Sequence, residues 1–97
     1  MRSSAIVWLP EASEEKDDIL DYIAERNVLA ALAIDERIKQ QVGQLVDFPF
    51  LGRKGRLADS FELVISRTPY IVAYQIQGGQ VEILHVFHDR RNWPLEH

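Results

Sequence analysis

Two adjacent glycines, Gly78 and Gly79, constrain the fold of this chain more than any other pair of residues. They lie in the segment QGGQ, between two runs rich in β-branched and aromatic residues, YIVAYQI and VEILHVFH. A two-residue connection between strands needs positive φ angles, which glycine adopts at no steric cost. The segment therefore predicts a tight β-hairpin, and a tight turn fixes the register of the two strands.

The predicted register also decides which side chains share a face of the hairpin. Counting outward from the turn gives four pairs: Ile76 with Val81, Tyr74 with Ile83, Val72 with His85, and Tyr70 with Phe87. The same register assigns four apolar residues to the opposite face: Ile71, Ala73, Leu84 and Val86. If helices cover the first face, the second is more apolar than a solvated sheet should be. We therefore expect a partner to cover it.

Two amphipathic helices are predicted between a short N-terminal strand, AIVWL, and the remaining strands. Pro10 opens the first helix, which extends to about Arg26, and Asn27 is a suitable N-cap for the second. The second helix keeps its apolar repeat until Phe48-Pro49. The apolar residues that recur at helical spacing, and are predicted to face inward, are Ala12, Ile19 and Ile23 in the first helix and Ile34, Ile38, Val42 and Leu45 in the second. The segment FPFLGRKGR is predicted to be a loop, and FELVIS to be a strand. The fold class is therefore α+β, with an N-terminal strand and a two-helix hairpin packed on one face of an antiparallel sheet of three further strands.

Length and composition indicate one intracellular domain. A chain of 97 residues with 46% hydrophobic residues can bury one core. We expect this domain to span residues 1–94 and residues 95–97 to be the remnant of a C-terminal histidine tag. The absence of cysteine excludes disulfides and thiolate chemistry and suits a reducing compartment. Because no segment resembles an export signal or a membrane span, a cytoplasmic location without membrane contact is expected.

Few residues suggest catalysis or metal binding. Glu14 and Asp18 lie one turn apart on the first helix, but acidic residues near a helix N-terminus more often form a solvated face. His85 and His88 are three apart on a strand, so they point to opposite faces and do not readily share an ion. His85 is better explained as a hydrogen-bonded core imidazole. The sequence predicts no catalytic residue, no metal site and no cofactor.

Two basic clusters stand out in a chain whose formal net charge is −4. Arg53 and Arg56 lie on the glycine-flanked segment GRKGR, and Arg90 and Arg91 follow the last strand beside Trp93. Guanidinium groups match carboxylates and phosphates, and an indole can anchor a contact. An ordinary charged loop would explain either cluster alone. Together they predict a local contact with an anionic surface, and direct nucleic-acid binding is not expected from the acidic net charge.

The order of these features resembles the RelE/ParE toxins of bacterial type II toxin–antitoxin systems. The resemblance runs from about Val7 to Pro94 and includes WLPEA, DILDYIAERN, FPFLGR, ELVISRTPYIVAYQI and VEILHVFHDRRNWP. It depends on the order and spacing of these segments, since none is diagnostic alone. The resemblance implies a helix hairpin on an antiparallel sheet, a cytoplasmic location and a cognate antitoxin that wraps the toxin. Such an antitoxin would cover the apolar face predicted above, at Ile71, Ala73, Leu84 and Val86.

The family contains two activities. Ribosome-dependent members cleave messenger RNA with lysines or arginines on the open sheet face and often a tyrosine or histidine near the C-terminus. The matching positions here are Glu62, Val64 and Ile71, and the terminal tyrosine has no counterpart. These residues offer little of the acid, base and charge stabilisation that RNA cleavage requires. ParE-like members share the HxRR ending, and resemblance to them implies a poison of DNA gyrase that acts by binding.

We therefore expect a toxin that inhibits growth by binding its target, with DNA gyrase as the target by resemblance. The predicted target contacts are Arg53, Arg56, His88, Arg90, Arg91 and Trp93. The alternative is a ribosome-dependent endoribonuclease that uses His88 with Arg56 and Arg90. A third interpretation is an inactive relative that only titrates the antitoxin.

Overall fold

Residues 5–90, the part of the chain that the computed structural model describes, form two helices packed on a five-stranded sheet. The elements are β1 (Ala5–Trp8), α1 (Pro10–Ala24), α2 (Val28–Gly43), a 3₁₀ turn (Gln44–Val46), β2 (Arg53–Lys54), β3 (Ser60–Val64), β4 (Tyr70–Gln77) and β5 (Gln80–His88). The strand order is β1-β5-β4-β3-β2. The predicted α+β class, with its helix hairpin and the antiparallel strands β3, β4 and β5, is confirmed.

Local signals set the helix boundaries. The Asn27 side chain accepts a hydrogen bond from the Ala30 amide at 3.0 Å, so the predicted N-cap of α2 is confirmed. Helix α1 ends at Ala24 and α2 at Gly43, both earlier than predicted, and a single 3₁₀ turn continues from Gly43. Neither helix within residues 5–90 is long and apolar enough to cross a membrane.

The main core lies between the helices and one face of the sheet. Its buried residues come from both layers: Ala12, Ile38, Val42, Leu45, Leu63, Ile65, Val72, Tyr74, Val81, Ile83 and Val86. Among them are Ala12, Ile38 and Val42, which the helical apolar repeats predicted to face inward. Each fully buried aliphatic side chain of this kind stabilises the fold by about 1.5–3 kcal/mol. Burial of this core therefore orients the helix hairpin against the sheet.

Two strands differ from the predicted sheet. β1 pairs with β5 in parallel, which makes the sheet mixed. The segment predicted to be a loop contains a two-residue strand, β2, whose Arg53 lies opposite Glu62 of β3. The loop prediction is therefore wrong at Arg53–Lys54. Opposite charges directly across a ladder stabilise strand pairing, which explains why so short a strand forms there.

The hairpin between β4 and β5 begins as predicted. Gly78 and Gly79 have φ angles of 58° and 77°, in the left-handed region that glycine adopts without strain. Tyr74 pairs with Ile83, which confirms the register over the half of the hairpin nearest the turn.

A β-bulge then shifts the register of the other half. Ala73 pairs with His85, so Leu84 is an extra residue with no direct partner on β4. The predicted pairs beyond this point are therefore wrong. The residues of β5 beyond the bulge lie on the face of the sheet opposite to the one predicted for them. Val86 lies in the core beneath the helices, whereas Phe87 lies on the opposite face of the sheet.

Candidate binding site

A buried carboxylate lies at the centre of the candidate site. Glu62, in the middle of β3, is 2% exposed and pairs with Ala73 on the sheet face opposite the helices. Its Oε1 accepts a hydrogen bond from Arg53 Nη2 at 3.1 Å. Its Oε2 accepts one from the Arg56 backbone amide at 3.1 Å and lies 3.3 Å from Arg56 Nε. Burying a carboxylate costs several kcal/mol unless it is paired, and these three contacts offset that cost.

An aromatic ring lies beneath one of the two arginines. The Arg56 guanidinium carbon is 5.4 Å from the centre of the Phe87 ring, which is a cation–π distance. Phe87 packs in a second, smaller apolar cluster with Ile71 and Ala73. The Arg56 guanidinium therefore contacts Glu62 on one side and an apolar surface on another, which limits the directions in which it can point.

Close packing fixes the segment that carries the arginines. The Gly55 amide donates to the Ser60 carbonyl at 2.8 Å, and the Ser60 hydroxyl donates to the Leu57 carbonyl at 2.7 Å. A Cβ at Gly55 would collide with the Ser60 hydroxyl, and one at Gly52 would meet the Tyr74 hydroxyl at 2.8 Å. These glycines let the backbone approach β3 closely enough for both arginines to reach the same carboxylate.

His88 and Arg90 lie at the end of β5. His88 pairs with Tyr70, and the two rings meet edge to face at 5.6 Å. Strand alternation puts His88 and Phe87 on opposite faces, so His88 does not join the arginine pair. His88 Nδ1 accepts a hydrogen bond from the Arg90 amide at 3.1 Å and also lies 3.1 Å from Asp89 Oδ1. One ring nitrogen cannot accept a hydrogen bond from the Arg90 amide and donate one to Asp89 at the same time, so the two contacts are alternatives.

The structure therefore brings together only part of the predicted set within residues 5–90. Arg53 and Arg56 meet at one carboxylate, while His88 and Arg90 lie at the strand end. Arg91 and Trp93 lie outside the described residues, as does the predicted tag at residues 95–97.

The apolar face predicted for antitoxin binding differs from the prediction at three of its four residues. Val86 belongs to the core beneath the helices, because the bulge turns it away from the predicted face. Ile71 and Ala73 lie on that face, but at 2% and 0% exposure they offer almost no surface. The expectation of an exposed apolar face is therefore wrong at these three residues. Leu84, the extra residue of the bulge, is partly buried.

Sequence reasoning missed the role of Glu62. The predicted strand FELVIS places this carboxylate between apolar residues, and a carboxylate in a buried strand position requires a cation. Two arginines in the preceding GRKGR segment could have supplied it. The missing signal was the pairing of β2 with β3, which is not visible in the periodicity of either segment.

A second carboxylate, Glu15 of α1, bonds to the bulged region of β5. Its Oε1 accepts a hydrogen bond from the Val86 amide at 3.0 Å and lies 3.2 Å from His85 Nδ1. His85 is thus hydrogen-bonded as predicted, though partly exposed. Glu14 and Asp18 are exposed, in keeping with the predicted solvated face. Within residues 5–90, no three acidic or histidine side chains are grouped as metal ligands would be.

Comparison with known proteins identifies the family. The model of the family described as ParE toxin of type II toxin–antitoxin system, parDE, matches residues 6–93. The putative toxin Y4kP of Sinorhizobium fredii is 37% identical over 94 residues, with 97% of each chain covered. Toxin RelE2 of Caulobacter vibrioides is 33% identical over 88 residues, which cover 89% of this chain and 96% of that one.

A solved structure supports the fold. The structure titled "Chromosomal ParDE TA system from P. aeruginosa" contains a chain that superposes with a TM-score of 0.80 at 22% identity. The match covers 89% of this chain and 96% of the other. At this identity the likeness concerns the fold alone. Because the family model and both relatives span nearly the whole chain, this protein belongs to the ParE toxin family of type II toxin–antitoxin systems.

Proposed function

We propose that this toxin stops growth by binding a cellular target, DNA gyrase, and that a cognate antitoxin neutralises it. The observation that carries the proposal is the arginine pair on the sheet face opposite the helices, where both guanidiniums contact a buried carboxylate. The proposed target contacts remain Arg53, Arg56, His88, Arg90, Arg91 and Trp93. The name of the structural neighbour, a ParDE toxin–antitoxin system, supports an antitoxin as the partner.

The arrangement favours binding over bond cleavage. A nuclease needs a group that accepts and returns a proton, and cations aimed at the charge that develops on the phosphate. Glu62 is bound by Arg53 and Arg56, so its negative charge offsets one of the two positive charges. His88, the candidate acid or base, alternates to the other face of β5. These groups therefore do not converge on one reacting atom.

The same arrangement suits a protein surface that carries anionic groups. The Arg53 and Arg56 side chains retain 56% and 36% exposure while they contact Glu62. Each guanidinium has several N–H donors. A carboxylate of the partner can therefore accept hydrogen bonds from the exposed side of a guanidinium that also contacts Glu62. Arginine pairs of this kind, held in place and partly desolvated, are common centres of binding energy.

The test uses the whole chain and its target. We expect purified toxin to inhibit supercoiling by DNA gyrase, and induced cells to show filamentation and a DNA damage response with intact transcripts. Arg90→Ala combined with Arg91→Ala should abolish growth inhibition and leave antitoxin binding within about threefold, because surface substitutions away from a contact change little. Arg37→Ala combined with Lys39→Ala on α2 removes the same charge and serves as the matched control. Unchanged toxicity of the first variant would contradict the proposed contacts.

One observation favours the second candidate function, ribosome-dependent cleavage of messenger RNA. A relative that is 33% identical carries the name toxin RelE2. This function predicts codon-positioned cuts in transcripts within minutes of induction and normal gyrase activity. It would use His88 with Arg56 and Arg90. Mapping RNA ends and measuring plasmid supercoiling in the same induced culture separates the two functions. If this protein is inactive and only titrates the antitoxin, neither effect should appear.

A further inference from the structure

We propose that Glu62 is a positioning residue of the target-binding surface. Its buried carboxylate sets the conformation of residues 53–56 and, through them, the directions of the Arg53 and Arg56 guanidiniums. The proposal deepens the proposed function, because it rests on those two arginines as target contacts. Glu62 itself, at 2% exposure, is too deeply buried to contact a partner.

The three contacts of Glu62 control both main chain and side chain. Oε2 accepts from the Arg56 amide at 3.1 Å and lies 3.3 Å from the Nε of the same residue. One oxygen atom thus fixes where the Arg56 backbone lies and how its guanidinium plane is turned. Oε1 holds Arg53 Nη2 at 3.1 Å, across the β2–β3 ladder. Loss of the carboxylate would remove a contact from each arginine at once.

Stability alone does not explain a carboxylate at this position. Replacing a buried ion pair by apolar residues of similar volume is often neutral or stabilising, because the charges no longer have to be desolvated. The neighbours of Glu62 on this face, Ala73 and the cluster with Ile71 and Phe87, would accept an apolar side chain. An acid here is better explained by what it orients than by what it contributes to the core.

A fixed arginine pair binds more tightly than a mobile one. A guanidinium that is already ordered loses less conformational freedom when the partner binds, so more of the contact energy appears as affinity. Arg56 is ordered by Glu62 and by the Phe87 ring at 5.4 Å. With Glu62 removed, Arg56 would lose the contacts to its Nε and to its backbone amide.

The test is a double-mutant cycle. Glu62→Gln keeps the size of the side chain and one oxygen acceptor for the Arg56 amide but removes the charge that pairs the guanidiniums. We expect it to weaken inhibition of DNA gyrase by about tenfold or more while antitoxin affinity stays within about threefold. In a chain that already carries Arg53→Ala and Arg56→Ala, the buried carboxylate has lost both cations, so the same change should raise stability and lower inhibition no further. Equal losses in both backgrounds would overturn the proposal.

A second variant keeps the test decisive if Glu62→Gln does not fold. Arg56→Lys retains the positive charge but cannot present Nε and the amide to one carboxylate oxygen in the same way. The proposal expects a loss of inhibition comparable to that of Arg56→Ala, and full activity of Arg56→Lys would overturn it. Hydrogen exchange supplies a direct readout, since the Arg56 amide should lose protection in Glu62→Ala, which removes both acceptor oxygens, and keep it in a Glu82→Ala control.

The two proposals fail in different ways. If the wild-type chain does not inhibit gyrase but still arrests growth, gyrase is not the target. Growth inhibition is then the quantity measured in the double-mutant cycle. Glu62 then keeps its role if Glu62→Gln relieves the arrest only when both arginines are present. If the wild-type chain neither inhibits gyrase nor arrests growth, there is no target-binding surface to position, and both proposals are wrong.

Discussion

The Tyr74 hydroxyl offers a sharp test of how the segment before the arginine pair is held. Tyr74 is fully buried, and its hydroxyl donates to the Pro49 carbonyl at 2.8 Å and accepts from the Gly52 amide at 2.9 Å. Tyr74→Phe removes both hydrogen bonds and keeps the ring, which stacks on Phe61 at 5.4 Å. The substitution therefore isolates the attachment of the loop from the packing of the core.

The expected loss of stability follows from the two hydrogen bonds. A typical intramolecular hydrogen bond contributes about 1 kcal/mol net, and more when its loss leaves a buried group without a partner. Pro49 and Gly52 are only partly buried, so water replaces part of what they lose. We expect the free energy of unfolding to fall by about 2 kcal/mol, which corresponds to about 8–16 °C in Tm for a domain of this size. Urea unfolding followed by circular dichroism should show a lower midpoint with an unchanged slope.

Tyr22→Phe is the matched control. Tyr22 is exposed on α1, so losing its hydroxyl should change stability by less than about 0.5 kcal/mol. A Tyr74→Phe variant that matches this control would refute the inference that the hydroxyl holds the loop. It would mean that Pro49 and Gly52 are restrained by other contacts.

The pH dependence supplies an independent check. Burial raises the pKa of Tyr74 above its ordinary value of 10.0, against the opposing effect of the hydrogen bond from the Gly52 amide. A folded-state pKa above the unfolded value gives stability that is complete below pH 10 and is lost as pH rises through the folded pKa. The difference in stability between wild type and Tyr74→Phe should therefore narrow above pH 10. Burial also raises the pKa of Tyr70, so the variant should retain some alkaline decline of its own. A constant difference across this range would contradict the reasoning.

Two further substitutions test contacts outside the site. Glu15→Ala should lower the free energy of unfolding by about 1–3 kcal/mol, because the Val86 amide loses its carboxylate acceptor. The exposed neighbour Glu14→Ala should change it by less than about 0.5 kcal/mol in the same urea titration. Asn27→Ala should cost about 1 kcal/mol through loss of the hydrogen bond from the Ala30 amide, and Asn27→Asp should restore most of it, which thermal unfolding of the three proteins would measure.

Features set by a few neighbouring residues were predictable from the sequence. The Gly78-Gly79 turn and the Asn27 cap each depend on φ angles or hydrogen bonds within about three residues. The apolar repeats also predicted which helix faces are buried, since a helix has one period whatever it packs against. The sequence also indicated that Arg53 and Arg56 form one basic cluster, because both lie in the short segment GRKGR.

The bulge was not predictable in the same way, because its causes are distant in sequence. The parallel pairing of β1 with β5 ends at Trp8 and Ile83, so β5 is no longer paired with β1 beyond Ile83. Beyond that point the Val86 amide bonds to Glu15, about seventy residues away. A partial signal does exist, since adjacent apolar pairs such as Ile83-Leu84 interrupt the alternation that a regular strand requires. Such a pair indicates an irregularity without saying where it lies.

One extra residue in β5 decides the chemistry of the site. In the regular register, Tyr70 would pair with Phe87, and the ring would lie on the helix side of the sheet. The bulge at Leu84 instead pairs Ile71 with Phe87 on the face opposite the helices, beneath the Arg56 guanidinium. Irregular strands often re-aim a side chain next to a functional site in this way. The direction of the Arg56 guanidinium therefore depends on a carboxylate from β3 and on a ring that lies on this face of β5 because the strand pairing is irregular.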